Sequence, residues 1–220
     1  MNCPKCLSDI PQANINVATD IAQCTQCHNV FKISENISTQ IDPNFDKNNP
    51  PNGAWIDQNF DAMTLGATTR SWTALFLVPF TLVWSGGSMT GIYGTQIWSG
   101  DFNPAMSLFG IPFLIGSVFL ISSALMTLFG KVEITLDTEG GKIFTGVGVV
   151  GWSKHFLWAD VSNIREEVSY SSKGGATKSI LLEGKTRLDF GSMLSEERLY
   201  YVLKSLQQIM AKKEMNRGFI

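Results

Sequence analysis

The apolar and polar positions of this chain change their period along its length, and each regime predicts a different element. From Ser71 to Gly130 there is no polar face: two uncharged runs flank Asp101, the one formal charge in the stretch. The first opens with Trp72-Thr-Ala-Leu-Phe-Leu-Val-Pro-Phe-Thr-Leu-Val-Trp84, and the second contains Leu108-Phe-Gly-Ile-Pro-Phe-Leu-Ile-Gly-Ser-Val-Phe-Leu-Ile121. Each exceeds the roughly 20 apolar residues that carry a helix across about 30 Å of hydrocarbon. A soluble helix normally turns a polar side to water. The pattern therefore predicts a transmembrane helical hairpin over residues 71–130, with spans at about 71–93 and 105–129. Trp72 and Tyr93, roughly 31 Å apart along such a helix, are the expected headgroup markers. Pro79, Pro112 and Gly86-Gly87 would break or kink soluble helices but are tolerated in lipid.

After Lys131 the period becomes two. Val132-Glu-Ile-Thr-Leu136 reads as a strand, Asp137–Gly141 as a hairpin turn and Lys142–Val147 as its partner. Trp152–Trp158, Val161–Val168, Ser179–Leu182 and Thr186–Phe190 follow as short strands, with Gly174-Gly175 and Glu183-Gly184 as turns. The last regime is helical: Leu199, Val202, Leu203, Leu206, Ile209 and Met210 share one face, and Ser195-Glu196-Glu197 suits a helix start. Residues 131–212 are thus expected to be a β-rich (α+β) bent antiparallel sheet closed by a C-terminal helix, with 213–220 a tail. Between 35 and 70 no period lasts, and Asn48-Asn-Pro-Pro-Asn-Gly53 typifies a flexible linker. Within it Trp55, Ile56 and Phe60 are candidates for docking on the membrane or the C-terminal domain, and Leu65–Thr69 also fits a short strand.

Composition changes the picture at the amino terminus. All four cysteines fall within the first 27 residues, as Cys3-Pro-Lys-Cys6 and Cys24-Thr-Gln-Cys27. Two residues between cysteines let one turn present both sulfurs to a single ion, and a second pair closes the tetrahedral shell. Residues 1–34 are therefore expected to be a zinc ribbon, its structural Zn2+ held by Cys3, Cys6, Cys24 and Cys27, because so short a segment cannot build a sufficient core without metal. Knuckles of this kind are usually followed by glycine; Leu7 and His28-Asn29 stand there instead, and Asn29 is the residue suited to a left-handed backbone. Cys24-Thr-Gln-Cys27-His28 also spells the haem-attachment pattern CxxCH, but that reading needs an exported segment and gives Cys3 and Cys6 no role.

Charge sets the expected topology and argues against nucleic acid as a partner. The net charge is −2, with four basic and seven acidic residues in 1–70 against thirteen and eleven in 131–220. Neither end has the concentrated positive field of a phosphate-binding surface. Arg70 and Lys131 flank the spans, whereas Gly91–Asn103 between them contains no Lys or Arg; the positive-inside rule then places both termini in the cytosol. A reducing cytosol suits metal-binding thiolates. The start, Met1-Asn-Cys-Pro-Lys-Cys6, has no apolar h-region, so the first span is the expected targeting signal.

The order of hairpin strands and a terminal helix resembles the pleckstrin-homology-like (PH-like) domains of bacterial membrane proteins. Trp158-Ala-Asp160-Val-Ser-Asn-Ile-Arg165 is similar to their recurring aromatic-x-Asp-Ile-x-x-Ile piece, although six strands are read here where that fold has seven. The whole chain, from knuckle pair through the Pro-Pro-Asn-Gly-Ala-Trp tether to hairpin and sheet, resembles an uncharacterised family of bacterial zinc-ribbon membrane proteins. That resemblance implies a bacterial inner (cytoplasmic) membrane location and no particular activity. Pleckstrin-homology domains that capture phosphoinositides use basic residues around the first hairpin. Here that turn carries Asp137 and Glu139 beside Lys142, which leaves Lys154, His155 and Arg165 as ligand-binding candidates. The Gly146-x-Gly148…Gly151 run has neither the spacing nor the following helix of a nucleotide loop and reads as turn or bulge glycines.

The function expected from these features is that of a non-enzymatic, membrane-anchored adaptor or scaffold. It would present a zinc ribbon and a PH-like domain to protein or lipid-surface partners, and Gly and Ser faces on the spans allow homo-oligomers. A membrane-tethered nucleic-acid- or ribosome-binding zinc ribbon is one alternative, opposed by the acidic first seventy residues. A subunit of a larger membrane enzyme or transport complex is another. An enzyme in its own right would need a clustered nucleophile and base or paired acids within a span, and the two histidines, His28 and His155, lie far apart in the sequence.

Overall fold

Strands from both sides of the apolar stretch belong to one sheet. The computed structural model describes residues 3, 5–6, 8–17, 19–33, 45–58, 62–170 and 175–217. In chain order the first strands are β1 (Ile15–Asn16), β2 (Ile21–Gln23), β3 (Val30–Lys32), β4 (Ala54–Gln58) and β5 (Met63–Thr68). Helices α1 (Ala74–Ser99) and α2 (Pro104–Phe129) follow. Then come β6 (Gly130–Leu136), β7 (Gly140–Val147), β8 (Val150–Leu157), β9 (Val161–Tyr170), β10 (Ala176–Gly184), β11 (Leu188–Phe190) and the terminal helix α3 (Glu196–Arg217). The chain divides into two units, residues 1–49, 157–192 and 199–220 in one and residues 50–156 and 193–198 in the other.

In the first unit β1, β2 and β3 form a small antiparallel sheet, and β9, β10 and β11 form a second with β10 in the centre. Ile180, Leu181 and Leu182 of β10 are buried, as is Ile164 opposite Leu182 on β9. On α3 the periodic residues Leu199, Val202, Leu203 and Leu206 are buried as expected, and Ile209 and Met210 are half-buried. The buried face is wider than the apolar period, because Tyr201, Ser205 and Gln207 are also covered. For two of these three residues hydrogen bonds offset the burial: the Tyr201 hydroxyl donates to the Lys47 carbonyl at 2.6 Å, and Gln207 Nε2 donates to the Ile164 carbonyl at 2.7 Å. The helix continues through Arg217, so residues 213–217 of the expected tail are helical.

In the second unit the sheet order is β4-β5-β6-β7-β8. Along β6, Val132, Ile134 and Leu136 are buried and alternate with half-buried Lys131, Glu133 and Thr135, the period-two pattern of the sequence. β5 pairs antiparallel with β6 from Met63↔Leu136 to Thr68↔Lys131. α1 and α2 therefore grow from the adjoining ends of two neighbouring strands. The junction is tied: the Thr69 N–H donates to the Gly130 carbonyl (2.9 Å), its hydroxyl to the Met126 carbonyl (2.5 Å), and the Ser71 N–H to the Thr127 carbonyl (3.2 Å).

This sheet differs from the flexible linker expected over residues 35–70, since 54–58 and 63–68 are strands; residues 34–44 and 59–61, with Phe60, lie outside the described residues. The alternative reading of Leu65–Thr69 as a short strand matches β5 over residues 65–68; the partner of β5 follows the hairpin, so no local pattern decided between strand and linker. Trp55 also has its own cross-strand contact: its indole lies over Gly66, where a Cβ would come within 2.2 Å of Cζ2. Any side chain at 66 would displace the ring.

α1 and α2 are each 26 residues, long and apolar enough to cross a membrane, and only 17% of each apolar window is buried. A core helix of a soluble protein would be mostly covered, which these two helices are not. Pro79 and Pro112 lie inside the helices without ending them. α1 passes the expected end at Tyr93 through a π-turn over Thr90–Gly94 and runs to Ser99. The connection is thus Gly100–Asn103, shorter than Gly91–Asn103. Gly100 leaves the helix at φ 74°, Asn103 accepts the Met106 N–H, and Gln96 Oε1 accepts the Asn103 N–H at 2.9 Å and the Ser107 hydroxyl at 3.1 Å. Tyr93 donates to the Ser107 carbonyl on α2, so Trp98, 91% exposed, replaces it as the aromatic residue at the far end.

Candidate metal centre

Each cysteine pair sits on a chain segment that folds back on itself. The Cys3 N–H donates to the Ser8 carbonyl and the Cys24 N–H to the Asn29 carbonyl, both at 2.9 Å; the His28 N–H returns to the Cys24 carbonyl at 3.0 Å. The left-handed residue of the second knuckle is His28, at φ 55°, where the sequence pointed to Asn29. Histidine shares with Asn and Asp an enrichment in that region. Leu7, the corresponding position of the first knuckle, lies outside the described residues.

The folds bring Cys3, Cys6, Cys24 and Cys27 together, with all four sulfurs within 4.8 Å of one another. Cys3 Sγ is 3.6 Å from Cys27 Sγ, and Cys6 Sγ is 3.5 Å from Cys24 Sγ. These separations far exceed a disulfide bond of about 2.05 Å. They approach the about 3.8 Å between sulfurs of a tetrahedral shell with ~2.3 Å metal–sulfur bonds. The donor set fits a single thiophilic ion. It also replaces the haem-attachment reading, because Cys24 and Cys27 each face a thiol of the first pair. Cys3 and Cys24 are fully buried and share their cluster with Ile10, while Ile15, Cys27 and Phe31 pack at its margin. Sulfur is a large part of what this segment has for a core.

Ser8 belongs to the site, although the sequence reading passed over it. Its Oγ lies 2.9 Å from Cys6 Sγ and 3.2 Å from Cys24 Sγ. The signal available was a hydroxyl residue two positions after a CxxC pair. The Ser8 hydroxyl, followed by the backbone N–H groups of Cys27 and Gln26, brings Cys24 down to about 6. Ser8 likewise lowers Cys6, through its side chain and then its backbone. Cys27 behaves oppositely: the Asn29 backbone pulls its thiol down, but burial and the neighbouring thiols of Cys6, Cys3 and Cys24 together push it up to about 12. Four sulfurs so close cannot all ionise without a compensating cation, and binding one releases the remaining protons.

The remaining candidates are placed as follows. Arg165 on β9 is engaged with Glu183 on β10 at 3.2 Å. Lys154 and His155 are successive exposed residues of β8, in the other unit, and successive strand residues point to opposite faces. The Gly146–Gly151 run is the β7–β8 hairpin, turning at Gly148 with φ 59°. No protein-family model matches this chain, and no curated protein matches it in sequence.

Proposed function

We propose that the protein is a non-enzymatic adaptor anchored in a bacterial inner membrane, with both termini cytosolic, one structural zinc in residues 1–34 and a PH-like domain that captures a protein partner. The observation that carries this reading is the outer edge of the five-stranded sheet. Val149 in the β7–β8 turn and Val150 and Trp152 at the start of edge strand β8 are 95%, 77% and 59% exposed. Natural proteins protect strand edges with charge, proline or cover; here Lys154 and His155 supply polarity in the middle of β8, while its apolar first residues suit a partner that adds a strand and seats side chains beside Trp152.

Other features support the remaining parts. Arg70 and Lys131 stand at one end of the helix pair, and Gly100–Asn103 at the other end contains no basic residue. Four cysteines with no vacant position favour zinc in a structural role over a catalytic one. Antiparallel sheets of five and three strands, followed by a helix, support the PH-like reading. So does the Trp158–Arg165 piece, whose tryptophan is buried.

Affinity purification from gently solubilised membranes, with mass spectrometry, tests the adaptor role. A partner set recovered with the native chain should be lost from a Val150→Ser, Trp152→Ser variant. Unchanged recovery would remove β8 from the proposal, and ribosomal proteins or nucleic acid recovered through the cysteine segment would replace it. Topology is tested separately: a reporter active only outside the cytosol should be silent at residue 220 and active at Asp101.

A further inference from the structure

A cleft of about 720 Å³ opens where β5 passes into α1, wholly within the second unit. Neither the metal centre nor the β8 edge uses it. Its polar end holds Arg70, Ser71 and Arg198, and its apolar wall includes Leu75 and Pro79 of α1 and Leu128 of α2. No carboxylate lines it. Arg198 is fixed there by neutral groups: Nε donates to the Asn52 carbonyl at 2.9 Å, and Nη1 donates to the carbonyls of Thr68 (3.0 Å) and Arg70 (2.8 Å). Three carbonyls orient the guanidinium without neutralising it, and its Nη2 has no hydrogen bond among the described residues. The Arg70 side chain is exposed and makes no ion pair among the described residues, whereas Lys131, Arg165, Lys178, Lys185 and Arg187 all have carboxylate partners.

Two uncompensated guanidinium groups beside one cleft attract an anion, and the planar fork of each matches phosphate oxygens. The apolar wall restricts which anion. From Ala74, the first residue of α1, to Pro79 the helical rise amounts to roughly 7.5 Å, so the wall leads from the cationic end along the apolar face of the hairpin. A small soluble anion would leave that wall without a contact, while a phosphate ester carrying acyl chains would cover it. We infer that this cleft binds one anionic phospholipid of the cytosolic leaflet, its phosphate held by Arg70 and Arg198 and an acyl chain lying along Leu75 and Pro79. The inference rests on the membrane-spanning reading of α1 and α2.

The test uses the full chain in nanodiscs of equal phosphatidylglycerol and phosphatidylcholine, with retained lipid read by native mass spectrometry. One phosphatidylglycerol should be retained in preference. Arg70→Gln should lower that retention about tenfold, the loss of one charge-assisted contact; Arg70→Lys should keep most of it, and Lys212→Gln on exposed α3 surface should change nothing. Flotation with liposomes under alkaline carbonate checks insertion of every variant. If the native chain fails to float, the spanning reading falls and takes the site with it. If it floats but holds both lipids alike, or if Arg70→Gln retains phosphatidylglycerol fully, the site alone is overturned. Inorganic phosphate that binds the detergent-solubilised chain through Arg70 and displaces phosphatidylglycerol would also overturn it, in favour of a soluble anion.

Discussion

The cysteine segment and the β9–β10–α3 region are held together in opposite ways. In the first, two of the three residues of the buried cluster are cysteines, and the strands around them are two or three residues long. In the second, β10 alone contributes Ile180, Leu181 and Leu182, and α3 adds Leu199, Val202, Leu203 and Leu206. The apolar region loses stability in increments, side chain by side chain. With an ion held by its four sulfurs, as proposed, the cysteine segment would depend on one coordination event, and its response to change should be nearly all-or-none.

The largest effect is therefore expected at the sulfurs. A Cys3→Ser, Cys24→Ser variant should lose its bound metal and, with it, the amide-exchange protection of residues 8–33, at an apparent cost of about 10 kcal/mol to that segment. Protection in β10 and α3 should persist. Stoichiometric metal in that variant, measured by native mass spectrometry, would break the contrast from the metal side. A strong chelator should reproduce the variant's exchange pattern in the native chain.

A graded loss is expected in the apolar region. Leu206, fully buried on α3, should cost about 2–5 kcal/mol when cut to Ala, against about 0.5 kcal/mol or less for Lys212→Ala on the exposed side. Thermal melts of the detergent-solubilised chain read the difference, and equal melts would mean that α3 does not pack as described. Lys204 is a poorer control than its helical position suggests, because its Nζ lies 5.8 Å from the Tyr200 ring centroid.

The smallest effect sharpens the comparison by locating a polar group inside the apolar region. Burial raises the Tyr201 phenol above its usual value. Below pH about 10 the folded and unfolded chains both keep that proton; above it the unfolded chain ionises first, so stability should fall as pH rises towards the folded value. Tyr201→Phe should abolish this alkaline dependence while costing about 1 kcal/mol for the lost bond to Lys47. An unchanged alkaline slope in the variant would place its origin elsewhere.

What could be read from the sequence followed the range of the interactions. The cysteine spacing, the apolar runs, the β6–β7 hairpin and the face of α3 are local patterns, and each appears in the fold close to where residues such as Val132, Ile134, Leu199 and Leu206 place it. β4 was hidden, and β5 was legible only as one option for Leu65–Thr69, because the neighbour that stabilises β5 is remote: β5 needs β6, across residues 69–130. The left-handed residue of the second knuckle fell one position from the expected one because both His28 and Asn29 can adopt that backbone. Ser8 and Tyr201 escaped notice since a hydroxyl acquires its role only from what folding sets beside it.

The insertion of the hairpin between β5 and β6 also bears on biogenesis. For a ribosome these strands are distant, and in an extended chain their pairing would carry the closure cost of a long loop. Packing of α2 against α1 brings Thr69 and Gly130 together, and β5 and β6 then meet as though joined by a short turn. The sheet is thus completed by assembly of the hairpin. A chain whose two helices fail to pair leaves β5 without β6 and presents two unfinished strand edges, the kind of surface on which other chains pair.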